Sequence, residues 1–126
     1  MTNYLIVALG SAVGGALRYW LSNFVYNWVP AVFPFGTLAV NFTGSFIIGL
    51  LIFGFDDRGL LTAEMRLLLT VGFCGGFTTF STFSLETVNL LRNSEYMLAA
   101  LNITASVLLT LAATILAYLL TSGREA

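Results

Sequence analysis

Gly72-Phe-Cys-Gly-Gly-Phe-Thr-Thr-Phe-Ser-Thr-Phe-Ser-Leu-Glu86 decides how this chain is read. Paired glycines, five Ser or Thr hydroxyls and four phenylalanines fall inside the third of four long apolar segments. Lipid does not tolerate irregular, polar backbone unless it is buried in protein or lines a water-filled path. The stretch is therefore a candidate functional site at membrane depth. Gly75-Gly76 disfavours a continuous helix, and Thr78, Thr79 and Ser81 can satisfy the backbone groups so freed. Broken helices near the midplane place carbonyls and half-helix ends where ions bind.

Outward from this stretch, apolar runs extend over about 4–28, 35–55, 65–91 and 96–121. Each reaches the roughly 20 residues that a spanning helix needs. The breaks between them carry turn or charge signals: Pro30 and Pro34, then Asp56-Asp57-Arg58-Gly59, then Arg92-Asn93-Ser94-Glu95. Of the 126 residues, 58% are hydrophobic and 9% charged, against roughly 25% charged in a soluble domain. The predicted fold is one all-α membrane domain, 1–126, of four transmembrane helices with the third broken. Met1-Thr2-Asn3 lacks a basic region and no small-residue cleavage site follows, so the first helix is expected to be retained.

Histidine is absent, which excludes His metal sites, His general bases and a Ser-His-Asp set. The single Cys74 has no intramolecular disulfide partner. The chain is not expected to be an enzyme, and no nucleic-acid partner is expected.

All five basic residues are arginine. With both termini inside, Arg58, Arg66 and Arg124 face Arg92 and, at most, Arg18. So small a bias under the positive-inside rule allows either orientation, or both.

The polar residues inside the spans fall in rows. Thr37, Asn41 and Ser45 recur every four residues and share a helical face. Such residues either glue helices together or form a hydrogen-bonding path, in which the Asn41 amide donors suit an anion. Asn102, Ser106, Thr110 and Thr114 repeat the device along three turns and read as a polar track. Phe80 and Phe83 share a face at i, i+3. An aromatic stripe usually packs a core, although a phenyl ring presents a positive edge that can favour an anion. Arg18 either snorkels or marks a vestibule that attracts anions. Glu86 suggests a proton-coupling site or a hydrogen-bond anchor. Gly10-Ser-Ala-Val-Gly14 and Gly72-Phe-Cys-Gly-Gly76 fit close helix packing.

These residues resemble the Fluc (CrcB) family of fluoride channels. Gly72 to Glu86 looks like its signature, Gly36-Thr-Leu-Ala-Val-Asn41 is similar to its second-helix motif, and Gly14-Gly-Ala-Leu-Arg18 to its first. The resemblance covers the whole chain. It implies an antiparallel, dual-topology homodimer in the cell membrane, with two fluoride pathways along the dimer interface. It further implies that Phe80 and Phe83 turn ring edges to fluoride and that Asn41 lines the pore. Asn102, Ser106, Thr110 and Thr114 would be the polar track, and Arg18 would lie near an aqueous vestibule. The carbonyls of Gly75 and Thr78 would hold a structural Na+ that is not transported. The implied function is passive fluoride efflux that relieves toxicity. One rival reading is a non-transporting scaffold subunit that uses the glycine seams only for packing; the other is a small dual-topology, proton-coupled multidrug exporter. It would need a central intramembrane carboxylate, and the first three helices offer only Glu86.

Overall fold

The computed structural model describes residues 1–122. Arg124, counted above among the arginines of one side, lies outside the described residues. The described chain is all helical, and four helices are long and apolar enough to cross a membrane: Thr2–Tyr26, Phe35–Arg58, Ala63–Arg92 and Tyr96–Ser122.

Helix α1 spans Thr2–Tyr26 and α2 spans Phe35–Gly54. Pro30 and Pro34 lie in the connection, where a residue without an N–H costs no helical bond. A short 3-10 turn, Asp56–Arg58, stops at Gly59, whose φ of 71° lies in the left-handed region that glycine enters freely. The third span is assembled from pieces. Helix α3, Ala63–Arg66, is capped by the Thr62 hydroxyl, which accepts from the Met65 amide at 3.1 Å. A π-helical segment, Leu67–Cys74, follows, then α4, Gly75–Phe77. Thr78 is extended (φ −90°, ψ 160°), and helical backbone resumes with α5, Ser81–Arg92. Helix α6, Tyr96–Ser122, completes the bundle.

The interior is unlike that of a water-soluble protein. Its fully buried apolar residues are mostly small: Val40, Cys74, Ala99, Ala113 and Ala117, with Phe77 the one large ring. Thr37, Thr70, Thr87, Asn102 and Ser106 are buried beside them. Leu, Ile and Val side chains of α1 and α6 point outward. Small and polar inside with branched aliphatics outside is the pattern of helices whose surroundings are lipid.

Helix α1 lies against the third span, and α2 runs along α6. The α1 seam depends on glycine. A Cβ on Gly10 would stand 2.5 Å from the Leu68 carbonyl oxygen and 2.9 Å from the Gly72 Cα. One on Gly14 would run into the Phe73 carbonyl. One on Gly76 would come within 2.6 Å of the Ser11 carbonyl oxygen. These neighbours are backbone atoms, which cannot step aside as a flexible side chain can. The two glycine patterns in the sequence therefore form one seam between the first and third spans.

Candidate functional site

The interruption in the third span opens onto a cavity of about 350 Å³. It is walled by α2 through Asn41, Gly44, Ser45 and Ile48, and by α6 through Ser106, Val107 and Thr110. The third span contributes Thr70, Cys74, Gly75, Thr78, Thr79, Phe80 and Phe83. The lining contains no Asp, Glu, Lys or Arg. Its polar groups are one carboxamide, hydroxyls, a thiol and backbone.

The helical ladder does not fail at Gly75-Gly76, where the sequence places the break. Both glycines are helical, and the ladder stops three residues later. The reason lies on α2. The Asn41 side chain donates from Nδ2 to the Thr79 carbonyl at 2.9 Å, and its Oδ1 accepts from the Thr79 amide at 2.8 Å. A carboxamide thus pairs with Thr79 as another strand of backbone would. Gly44, one turn further along α2, leaves room for Thr78, because a Cβ there would collide with the Thr78 methyl.

Further contacts hold the interruption. Arg18 reaches across from α1 and donates from Nε to the Gly76 carbonyl at 3.2 Å. The Thr78 hydroxyl donates to the Cys74 carbonyl at 2.9 Å. The Thr79 hydroxyl accepts from the Thr82 amide at 3.2 Å. Among the described residues, no hydrogen bond ends on the carbonyls of Gly75 or Thr78.

Phe80 and Phe83 stand together, with ring centroids 5.4 Å apart and planes at 42°. Phe80 is 80% exposed, although it sits at the break, inside the third span, and not at either end of that span. Phe73 and Phe77 do not continue this pair. They stack on each other 5.8 Å apart, and Phe77 is buried with its ring against Gly44 of α2.

The row on α6 divides. Ser106 and Thr110 line the cavity, whereas Asn102 and Thr114 do not. Asn102 is 2% exposed and donates to the Thr87 hydroxyl at 2.9 Å, joining α6 to α5. Thr114 donates to the Ser45 carbonyl at 3.1 Å, joining α6 to α2. The two middle residues of the row face the cavity, and its two ends lock helices.

Glu86 does not line this cavity. It accepts a hydrogen bond of 2.5 Å from the Thr37 hydroxyl. It borders a separate hollow of about 150 Å³ formed with Tyr26, Asn89, Asn93 and the α1–α2 connection. Among the described residues the only ion pair is Arg66 with Asp56, at 2.7 Å, so Glu86 is not bridged to Arg92.

Three features of this site escape the sequence. The π-helical segment has no compositional mark, although Thr70, which back-bonds to the Arg66 carbonyl at 2.6 Å, lies within it. Thr87 carries no motif and shows its importance only as the partner of Asn102. The Thr37–Glu86 pair joins residues 49 positions apart, and no local spacing predicts it.

A family model described as "CrcB-like protein, Camphor Resistance (CrcB)" matches residues 5–118. The chain belongs to the CrcB family. Among CrcB relatives, a protein of Magnetococcus marinus named "Fluoride-specific ion channel FluC" is 53% identical over 103 residues, covering 82% of this chain and 84% of the relative. One of the same name from Geobacter sulfurreducens is 50% identical over 114 residues, covering 90% and 92%. Another from Methylocella silvestris is 44% identical over 113 residues, covering 88% and 86%. Four membrane-length apolar helices in a CrcB chain make this a multi-pass membrane protein. The family is one of channels, not of enzymes.

Proposed function

We propose that this chain is the subunit of a fluoride-selective channel, which lets fluoride leave the cell passively and so limits its toxicity in the cytoplasm. The relatives' name supports the ion, and the cavity supports the mode of transport. Its lining combines Asn41, Ser and Thr hydroxyls and the Phe80–Phe83 pair with no charged side chain. A small, strongly hydrated anion must exchange water for protein donors. Neutral donors and positive ring edges can replace water without trapping the ion, as conduction requires. One Asn41 N–H is committed to Thr79, and the second is available to an anion.

The active unit is proposed to be an antiparallel homodimer in the cell membrane. Phe80 supports this: a phenyl ring 80% exposed beside a polar break asks for a covering partner. The weak arginine asymmetry fits insertion in both orientations, and identical chains so arranged pair about a two-fold axis. The interruption would then lie near the midplane, with a fluoride path on each side of the interface. Ser106 and Thr110 would extend each path, with Asn102 and Thr114 fixing the helix that carries them. Arg18 would border the vestibule while holding the Gly76 carbonyl.

The residues present also fit a structural Na+. The carbonyls of Gly75 and Thr78 are free of hydrogen bonds, and unshared carbonyl oxygens suit a hard cation. Two subunits would supply four such oxygens. A bound cation supplies positive potential without a charged side chain at the midplane.

Proton-coupled drug export is disfavoured by Glu86, which borders the hollow beside the α1–α2 connection and not the main cavity. The deciding experiment is efflux from liposomes containing the purified protein, followed with a fluoride electrode while valinomycin carries K+. Fast fluoride release with negligible chloride release is expected. No release from a verified, folded dimer in sodium buffer would overturn the reading.

A further inference from the structure

In an uninterrupted α-helix the Thr79 amide would donate to the Gly75 carbonyl and the Thr82 amide to the Thr78 carbonyl, each four residues back. Neither bond forms here. The Thr79 amide is taken by Asn41 Oδ1 at 2.8 Å, and the Thr82 amide by the Thr79 hydroxyl at 3.2 Å. The two carbonyls left without donors belong to Gly75 and Thr78, both of which line the cavity.

We infer that Asn41 and Thr79 are positioning residues: by capturing the amides of Thr79 and Thr82, their side chains keep the Gly75 and Thr78 carbonyls free for a hard monovalent cation. The inference deepens the channel reading and rests on it for the identity of the ligand. The diversion of the two amides stands on geometry alone. Asn41 also returns an N–H to the Thr79 carbonyl, so both backbone groups of Thr79 are satisfied while the two oxygens in question are not. Unpartnered carbonyls carry a desolvation cost unless a ligand meets them, and that cost favours occupancy by a cation.

The test uses the full-length protein reconstituted in nanodiscs, with amide exchange resolved by NMR after selective labelling of Thr, Phe and Ser, and Na+ titrated as chloride. In the wild type, Thr79 and Thr82 are expected to exchange at least about tenfold more slowly than Phe80 and Ser81, which have no such partner, a ratio of the size one hydrogen bond gives. Asn41→Leu should leave the Thr79 amide protected, because it falls back onto the Gly75 carbonyl. Thr79→Val should leave the Thr82 amide protected, because it falls back onto the Thr78 carbonyl. In both variants the Na+ concentration that half-saturates fluoride efflux should rise about tenfold or more, consistent with losing an oxygen ligand.

Thr79 exchanging as fast as Phe80 in the wild type would overturn the inference without requiring any variant to fold. So would an unchanged Na+ requirement in a folded Thr79→Val dimer. Absence of fluoride efflux from the wild type is a separate outcome: it would remove the channel reading and with it the cation role, while slow exchange at Thr79 and Thr82 would still uphold the diversion of the amides.

Discussion

Asn102 Nδ2 and Thr87 Oγ1 meet at 2.9 Å inside the contact between α5 and α6. Each is also engaged elsewhere: Thr87 donates to the Phe83 carbonyl at 2.8 Å, and Asn102 Oδ1 accepts from Ser106 at 3.4 Å. A chain of hydrogen bonds thus runs from the cavity wall, through a fully buried carboxamide, to the turn that carries Phe83. Asn102 would act on the proposed path from behind the wall. Asn102→Ala should destabilise the helix packing by about 0.6–1.7 kcal/mol, between the average and the maximum for interhelical hydrogen bonds in membranes, and lower the unfolding midpoint in detergent. Ser106→Ala, which alters the cavity wall itself, should slow fluoride flux with the smaller stability loss. An Asn102→Ala protein as stable as the wild type would deny Asn102 its locking role.

Phe80 and Phe83 divide differently between stability and flux. Phe80 contributes little to the protomer's packing, because most of its surface is exposed. Replacement by Ile keeps much of the bulk and removes the ring edge. Phe80→Ile and Phe83→Ile are each expected to cut fluoride efflux by at least about tenfold, equivalent to some 1.4 kcal/mol in the barrier, while size-exclusion profiles match that of the wild type. Unchanged efflux in both variants would place the path elsewhere.

The glycine seam gives a sharper contrast. A Cβ at Gly14 meets the Phe73 carbonyl and lies 2.9 Å from the Phe77 amide nitrogen, whereas one at Gly15 meets nothing within 4 Å. Overpacking of this kind typically costs about 1–3 kcal/mol, and more where backbone must move. Gly14→Ala should reduce the yield of folded protein severely, and Gly15→Ala should leave the protomer fold intact. Fluorescence-detected size exclusion of the two variants decides the matter. Equal behaviour would mean that α1 and the third span do not pack backbone to backbone.

Asn41→Asp retains an acceptor for the Thr79 amide but loses the donor to the Thr79 carbonyl. It also places a carboxylate on the cavity wall. Fluoride flux is expected to fall by at least about tenfold, since a like charge in a low-dielectric site opposes an anion strongly. Thr79 amide protection should persist. Normal fluoride efflux from a folded Asn41→Asp dimer would remove Asn41 from the path.

Exhaustive exchange of Na+ for a large organic cation should reduce fluoride efflux, and returning Na+ should restore it. Full activity throughout would leave the Gly75 and Thr78 carbonyls without an essential ion.

Much of the architecture is legible in the sequence because a bilayer imposes one strong demand. Each span must be about 20 apolar residues, and the intervals from Pro30 to Pro34 and from Asp56 to Gly59 are too polar or too rigid to continue a helix. The rows at i, i+4 announce that Asn41, Ser106 and Thr110 share faces with their neighbours. Periodicity does not reveal which face meets the cavity and which meets another helix. Asn102 and Ser106 obey the same spacing, yet one is a lock and the other a wall. The location of the break also lies beyond local propensity. Gly75 and Gly76 weaken a helix, but the ladder fails where a side chain on α2 outcompetes it for the Thr79 amide, a decision made 38 residues away.

The clamps on the interruption come from α1 and α2, through Arg18 and Asn41, and both precede the third span in the chain. During synthesis the first hairpin therefore emerges before the segment whose backbone it must complete. A third span entering the bilayer alone would carry the open groups of Gly76 and Thr79 into hydrocarbon. One that docks on a hairpin already in place finds a donor for each carbonyl and an acceptor for the Thr79 amide. The order of the chain thus delivers both clamps before the segment whose open groups they meet.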